Sequence, residues 1–181
     1  NCKGAKERVR KVYYRESVYR TDRPGGQFRE INQIGLECVG ELDFYAGLEV
    51  LYLAAESLKA VGGGYVMDIS HMGALEGIAE SCGMASLPEE VMACVRSRNL
   101  HDMKTVCMSC GMGEDAAGKL RTLLSANGSN AKKLTLLRSL FPESEKCLLA
   151  AGELEGLLAA LGDTAGAFEV DFSLLNDPAY Y

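Results

Sequence analysis

The 181-residue sequence contains no apolar run that approaches the ~20 residues a helix needs to cross a bilayer. Its first segment, residues 1–23, is rich in Lys and Arg instead of carrying the apolar stretch of a signal peptide. The length and the ordinary share of charged residues fit one globular domain with a real core. We therefore expect a soluble, cytoplasmic protein that has no contact with a membrane.

The seven cysteines lack the dense, regular spacing of a secreted disulfide scaffold. The one local motif is Cys107-Met-Ser-Cys110, and a zinc site needs a second such pair or histidines close by. No second pair exists, and the nearest histidine is His101. A redox motif of this kind is expected near a βαβ pattern, whereas the surroundings here have a helical pattern. We interpret the cysteines as small buried thiols and expect neither a metal site nor a cofactor.

Positive charge is scarce outside the beginning of the chain. Residues 1–30 carry nine Lys and Arg against four Asp and Glu, although the whole sequence has a net charge of −6. Proteins that bind nucleic acids usually present a basic face, so we expect no nucleic-acid partner. The basic beginning is compatible with an anion site, and charge alone favours the simpler reading of a solvated strand face.

The first 70 residues show a β-rich pattern followed by a helical one. Residues 11–20 and 28–40 are rich in β-formers and predict a long antiparallel hairpin around a turn-rich loop. Residues 43–60 have helical periodicity, and the glycines at 62–64 end the helix. This glycine run lacks the Lys-Ser/Thr of a P-loop, so we interpret it as a helix stop and not as a phosphate-binding loop. Residues 65–70 predict a short strand.

The rest of the chain is mostly helical. Ser70 is a candidate cap for the next helix, and we interpret His71 as a turn or capping residue. Breaks between residues 75 and 161 predict five or six short helices, and residues 167–173 return to strand alternation. We expect both short strands to join the hairpin in one antiparallel sheet. Residues 1–70 and 165–181 then form a core, residues 71–164 a helical insertion, and the parent protein is longer at both ends.

Four polar residues of the hairpin suggest a binding site. Residues an even number of positions apart in a strand share a face, so Gln33 and Glu37 face the same way, as do Arg20 and Asp22. An amide and a carboxylate on one face suit the ammonium and a side-chain nitrogen of an amino acid, and an arginine suits a phosphate or carboxylate. From these residues alone, the polar outer face of an antiparallel sheet is the favoured interpretation.

The same residues carry a resemblance to a known family. The run Tyr19-Arg20-Thr-Asp22-Arg-Pro24, followed by Arg29-Glu30-Ile-Asn-Gln33-Ile-Gly35-Leu-Glu37, resembles motif 2 of histidyl-tRNA synthetases and their paralogues. Residues 43–55 are similar to the family's next helix, and Tyr180-Tyr181 to its paired tyrosines. The resemblance implies an α+β fold, with an antiparallel sheet of class II aminoacyl-tRNA synthetase type, flanking helices and a helical insertion.

The resemblance also implies roles for individual residues. Gln33, Glu37 and Tyr181 correspond to contacts with histidine, and Arg20 to a contact with its carboxylate or an α-phosphate. Arg20, Asp22 and Arg29 correspond to a nucleotide-like pocket, where Asp22 replaces the family's usual Glu.

One departure from the family bears on activity. Residues 176–179 read Asn-Asp-Pro-Ala, where the synthetases have Arg-Gly-Leu-Asp before the tyrosine pair. That Arg polarises the carboxylate as the adenylate forms, and losing such a charge typically costs ~10²–10³ in rate. Asn176 is neutral and Asp177 adds a negative charge. We therefore expect no catalytic residues and no enzyme activity.

Histidine contacts without adenylation machinery resemble the family of regulatory subunits of ATP phosphoribosyltransferase. This resemblance implies a short-form catalytic subunit as partner, L-histidine as feedback effector, and a homodimer within a hetero-oligomer. One alternative is a histidyl-tRNA synthetase core fragment that binds histidine and ATP. The other is an interaction module whose site is vestigial.

Overall fold

A computed structural model describes residues 9–21 and 25–175 of the chain. The chain divides into two compact units, with the boundary in the sequence between Gly63 and Gly64. The predicted division is a different one, with a core of residues 1–70 and 165–181 and a helical insertion over 71–164. That division stays a prediction. In the described part, no helix is both long and apolar enough to span a membrane.

The first unit begins with the predicted hairpin. Strands β1 (Arg10–Thr21) and β2 (Phe28–Val39) pair antiparallel along their whole length, from Arg10 opposite Val39 to Thr21 opposite Phe28. The aromatic and β-branched residues of both strands favour this conformation. The prediction of a hairpin is confirmed, and its register assigns every side chain to one of two faces.

Helix α1 (Phe44–Val61) completes the first unit and confirms the helix predicted over 43–60. The carboxylate of Asp43 caps it by accepting a hydrogen bond from the backbone N–H of Ala46 at 2.8 Å. Gly62 ends it at φ 85°, a conformation that favours glycine. The helix packs against β2.

The second unit consists of two short strands and a set of short helices. The strands are β3 (Met67–Ile69) and β4 (Phe168–Val170). The helices between them are α2 (Met72–Ser81), α3 (Glu89–Arg96), α4 (Met103–Ser109), α5 (Glu114–Leu124), α6 (Asn130–Leu140) and α7 (Glu145–Ala160), and a 3₁₀ segment (Gly162–Ala167) precedes β4. The prediction of five or six helices is confirmed.

The pairing of β3 and β4 differs from the prediction. Within the described residues they pair with each other, and in parallel, with Met67 opposite Phe168 and Ile69 opposite Val170. The prediction that both extend the antiparallel hairpin is therefore wrong for these residues. A parallel pair needs a long crossover connection, and the helices between the two strands supply it.

The core of the second unit is built where α2 packs against α7. A Cβ atom at Gly77 would lie 2.5 Å from Ser144 Oγ and 2.7 Å from Cys147 Sγ, so this close approach requires glycine. The Cys147 thiol is buried against α2, where it donates to the carbonyl of Ala74 at 3.4 Å. Ile78 of α2, Leu120 of α5 and Leu137 of α6 are also fully buried.

His71, not Ser70, caps helix α2. Its Nδ1 accepts a hydrogen bond from the backbone N–H of Gly73 at 3.0 Å, and its Nε2 lies 2.7 Å from a carboxylate oxygen of Glu153 on α7. The interpretation of His71 as a capping residue is confirmed, and that of Ser70 is wrong. The longer imidazole reaches the amide and the partner helix together, whereas Ser70 Oγ is buried without a hydrogen bond in the described part of the chain.

The described cysteines are free thiols. Cys94, Cys107 and Cys147 are buried and the other three described ones are half-buried, which confirms the interpretation for the first three. Burial, followed by the nearby thiols of Cys94 and Cys110, raises the pKa of Cys107 to about 11. Cys107 is therefore a protonated thiol at neutral pH, which lacks the thiolate character that reactivity requires.

Candidate functional site

The candidate site lies on one face of the hairpin, which we call the polar face. Directly opposed residues of antiparallel strands project their side chains to the same side of the sheet. Gln33 pairs with Glu16, and Arg29 with Arg20. The polar face carries Arg10, Tyr14, Glu16, Arg20, Arg29, Gln33, Gly35 and Glu37, together with the apolar residues Val12, Val18, Ile31 and Val39.

The predicted residues Gln33 and Glu37 thus share this face with Arg20 and Arg29. The side chain of Arg20 donates a hydrogen bond to Gln33 Oε1 at 3.0 Å. Gln33 Nε2 in turn donates to the hydroxyl of Tyr14 at 3.1 Å. A guanidinium, an amide and a phenol are therefore joined in one hydrogen-bonded chain.

Arg20 and Arg29 lie directly opposite each other in the register. Like charges in opposed positions are unfavourable in a sheet unless an anion or a carboxylate compensates them. Both side chains belong to exposed positions of the hairpin. A guanidinium is suited to holding a carboxylate or phosphate, and the resemblance predicts this role for Arg20.

Glu37 supplies negative charge farther along the same face. It lies opposite Val12 and is half-buried. Its carboxylate forms no hydrogen bond or ion pair with any other residue in the described ranges. Along the strand, Gln33 and Glu37 are ~13 Å apart at ~3.3 Å per residue. The face thus carries positive charge at Arg20 and Arg29 and negative charge at Glu37. Glu16, opposite Gln33, adds a second carboxylate, and Arg10, opposite Val39, adds a further cation beyond Glu37.

Helix α1 lies against the opposite face of the hairpin, which we call the helix face. Its residues Tyr13, Ile34 and Leu36 line a groove of about 700 Å³ with Leu53 and other apolar residues of α1. Lys11 forms an ion pair with Glu49 of α1. The helix therefore does not cover the polar face. It supports the hairpin from the opposite side.

Three residues of the sequence-based site lie outside the described residues. They are Asp22, Asn176 and Tyr181. Their expected roles stay predictions. The described part of the chain contains no group of three or more His, Cys, Asp or Glu residues that could hold a metal ion.

Tyr14 is not among the site residues predicted from the sequence. Two signals could have found it: its even separation from Arg20, and its position opposite Gly35 in the register of a hairpin. The second signal depends on the register, which a turn of uncertain length does not fix from sequence alone.

Comparison with known proteins gives the fold its class. Three solved structures cover more than nine-tenths of the chain. A protein from Bacillus halodurans, titled an ATP phosphoribosyltransferase regulatory subunit/histidyl-tRNA synthetase, has a TM-score of 0.75 at 22% identity, with 94% of this chain and 45% of that chain covered. Histidyl-tRNA synthetase from Nostoc has a TM-score of 0.71 at 21% identity, with 92% and 41% covered. The fold is α+β, of class II aminoacyl-tRNA synthetase type.

The sequence comparison then gives the family. A family model described as histidyl-tRNA synthetase matches residues 2–181. The chain belongs to the histidyl-tRNA synthetase family.

Two curated relatives show the range of the family's members. Histidine–tRNA ligase of Archaeoglobus fulgidus is 26% identical over 173 residues, which cover 94% of this chain and 40% of that protein. An ATP phosphoribosyltransferase regulatory subunit of Halothermothrix orenii is 44% identical over 72 residues, or 39% of this chain and 17% of that protein. The chain spans about 40% of the length of the first of these relatives.

Proposed function

We propose that this chain is the histidine-sensing part of a regulatory subunit of ATP phosphoribosyltransferase, without aminoacyl-adenylate chemistry of its own. One observation carries the proposal. The chain keeps the polar residues of the hairpin, including Arg20, Gln33 and Glu37, but has Asn176 where the synthetases have the arginine that polarises the carboxylate. A site that keeps its ligand contacts and loses its catalytic charge is suited to binding a signal.

The charges of Arg20, Arg29 and Glu37 on the polar face support histidine as the ligand. The guanidinium groups of Arg20 and Arg29 are suited to the carboxylate of a free amino acid. The carboxylate of Glu37 is suited to an ammonium or an imidazole N–H, since an ionised carboxyl only accepts hydrogen bonds. Gln33 lies between them and both donates and accepts. Tyr181 is proposed to contact the imidazole, and Asp22 to line the nucleotide-like part of the pocket.

The partner in this proposal is a short-form catalytic subunit of ATP phosphoribosyltransferase. The chain has a TM-score of 0.64 to a chain of an ATP phosphoribosyl transferase complex from Thermotoga maritima, at 21% identity, with 94% and 59% of the two chains covered. The relative from Halothermothrix orenii supports the same assignment. In the proposed assembly, the protein forms a homodimer within a hetero-oligomer, and histidine is its feedback effector.

Histidine titration of Glu37→Ala in the full-length protein tests the proposal. A charge-assisted hydrogen bond in a partly desolvated site contributes ~1.5–3 kcal/mol, so we expect binding to weaken about ten- to a hundredfold. Gln33→Ala costs less, because the lost group is neutral. Glu30→Ala is the matched control, since Glu30 lies opposite Tyr19 on the helix face.

The expected result includes assembly as well as affinity. The Glu37→Ala variant still forms the complex with the catalytic subunit, and the complex is less sensitive to histidine. Equal histidine affinity in the Glu37→Ala variant and the parent contradicts the proposed site, because the feedback signal then enters elsewhere.

A histidyl-tRNA synthetase is the second candidate, because several curated relatives are named histidine–tRNA ligases, from Archaeoglobus fulgidus and Methanocaldococcus jannaschii among others. Histidine-dependent pyrophosphate exchange by the full-length protein separates the candidates. We expect no exchange, and none after Asn176→Arg alone, because Asp177 and Pro178 remain beside it. Exchange at a rate typical of synthetases would establish the second candidate instead.

A further inference from the structure

The aromatic ring of Tyr14 lies directly over Gly35 on the polar face. The two residues are opposed in the register. A Cβ atom at position 35 would lie 2.0 Å from Tyr14 Cζ and 2.2 Å from its hydroxyl oxygen. Real Cβ atoms do not approach this closely, so the ring occupies its position only because residue 35 is glycine. An aromatic ring that covers a glycine on the opposed strand is a known way to stabilise a sheet locally.

The ring's position places the Tyr14 hydroxyl next to Gln33. A guanidinium can only donate hydrogen bonds, so the contact with Arg20 identifies the amide atom facing it as Oε1. The amide nitrogen then faces Tyr14, whose oxygen accepts from it at 3.1 Å. Arg20 on one side and Tyr14 on the other therefore determine which way the Gln33 amide points.

Tyr14 and the neighbouring Tyr13 lie on opposite faces of the hairpin. Tyr14 is half-buried on the polar face, whereas Tyr13 lies on the helix face with 86% of its surface exposed. The two residues are adjacent in sequence and have the same side chain. Only one of them is in contact with a residue of the candidate site, which makes Tyr13 a matched control.

We propose that Tyr14 is a positioning residue of the polar face: seated over Gly35, it orients the Gln33 amide and thereby the group that Gln33 presents to a bound amino acid. This inference rests on the proposed function and deepens it. Without the phenol oxygen, the amide loses the hydrogen bond that its Nε2 donates to Tyr14. Without the glycine, the ring cannot lie where the hydroxyl reaches the amide.

A double-mutant cycle on histidine affinity in the full-length protein tests this relation. Tyr14→Phe keeps the ring and removes the hydroxyl, and we expect binding to weaken about two- to tenfold, the range of one neutral hydrogen bond. In the Gln33→Ala background, Tyr14→Phe is expected to weaken binding no further, because its effect passes through the amide. Tyr13→Phe is expected to leave affinity unchanged. A purely structural role of Tyr14 gives the same loss in both backgrounds, which overturns the proposal.

The role of Gly35 is tested in the same cycle. Gly35→Ala is expected to weaken histidine binding at least as much as Tyr14→Phe, because the new methyl group displaces the ring. Added to Tyr14→Ala, the same change is expected to cost little more. A full additional loss in the absence of the ring contradicts the steric relation between the two residues.

A spectroscopic measurement keeps the inference testable without histidine binding. The 181 residues contain two glutamines, Gln27 and Gln33. After selective ¹⁵N-glutamine labelling of the full-length protein, the side-chain amide signal of each is assigned by its loss in the Gln27→Ala or Gln33→Ala variant. Tyr14→Phe is expected to move the Gln33 signal and leave that of Gln27 unchanged, and Tyr13→Phe to move neither. An unmoved Gln33 signal overturns the positioning role. If Tyr14→Phe moves the Gln33 signal but the parent protein does not bind histidine, the result contradicts the proposed function and leaves the positioning role of Tyr14 intact.

Discussion

The two units of the chain differ in how much of a core each builds from its own residues. In the first unit, the buried hydrophobic residues of the described part are two alanines, Ala46 and Ala55. Its larger apolar side chains are half-buried, as Leu48 and Leu51 are, or exposed, with Ile34 at 74% and Phe28 at 72%. In the second unit, leucines, valines and an isoleucine from several helices are fully buried.

The first unit carries the candidate site, whereas the second unit contains most of the buried apolar side chains. A two-stranded hairpin is marginally stable by itself in water. The polar face lies on such a hairpin, supported from behind by one helix. The helical unit needs no such support, since packing of apolar faces provides most of the stability of short helices. The site therefore lies on the unit that is less able to fold alone.

The largest expected effect concerns the units as separate fragments. We expect residues 64–175 to fold alone and to melt cooperatively by circular dichroism. A fragment of residues 9–63 is expected to show no cooperative transition, because two buried alanines do not offset the conformational entropy of ordering it. Cooperative melting of residues 9–63 would break the comparison, as would an unfolded fragment of residues 64–175.

A pair of isoleucine substitutions sharpens the comparison at single residues. Ile78 in α2 is fully buried, and Ile34 in β2 is 74% exposed. We expect Ile78→Ala to lower the free energy of unfolding by about 2–5 kcal/mol. Ile34→Ala is expected to change it by no more than about 0.5 kcal/mol. Denaturant unfolding of the full-length variants measures both, and similar losses at the two positions would contradict the assignment of the core.

A buried cation in the second unit gives a smaller effect. Lys133 has only 8% of its side chain exposed, and its Nζ donates to Glu169 at 2.6 Å and to the carbonyl of Val170 at 2.9 Å. Lys133→Met keeps the apolar stem and leaves the carbonyl without its partner, at an expected cost of about 1–3 kcal/mol. Lys11→Met, at an exposed ion pair of the first unit, is the control, and its unfolding midpoint is expected to change little.

The smallest effect depends on pH. Burial alone favours a higher pKa for Asp171, but hydrogen bonds from the Ser173 hydroxyl and backbone N–H, and then from Arg98, lower this pKa below its usual value. The stabilisation is therefore present above the unfolded-state pKa of about 3.9 and is lost as pH falls through the lower folded-state value. Asp171→Asn is expected to cost less than about 1 kcal/mol at pH 7, since Arg98 is largely exposed and screened.

The measurement for Asp171→Asn is thermal unfolding across pH 2–7. The difference from the parent is expected to shrink below about pH 4, where the carboxyl of the unfolded state becomes protonated. A difference that stays constant over this range would assign the effect to packing instead of charge.

Much of the fold was predictable from short-range pattern. The β-formers over 11–20 and 28–40 around a turn-rich loop predicted the hairpin, and helical periodicity over 43–60 with the glycines at 62–64 bounded α1 within one residue. The breaks at glycine, asparagine and proline predicted the short helices. These features depend on neighbours in sequence, which a single chain displays directly.

Long-range pairing was not predictable in the same way. The pattern at 65–70 and 167–173 identified two strands but not the direction in which they pair, because alternation is the same in parallel and antiparallel strands. Ser70 appeared to be the cap because its type favours that position, whereas the contact with Glu153 across the packed helices is what holds His71 there. Both outcomes depend on residues more than 80 positions away.

For the candidate site, the sequence alone determined that Gln33 and Glu37 share a face, since two-residue periodicity in a strand is a property of the backbone. The resemblance carried by the sequence also predicts that Asn176 replaces an arginine of the family, and this stays a prediction. Only the tertiary structure placed Tyr14 over Gly35 and joined it to Gln33 and Arg20. Register decided this, because a shift of one residue moves every side chain of a strand to the other face, and pairing between the strands is what excludes that shift.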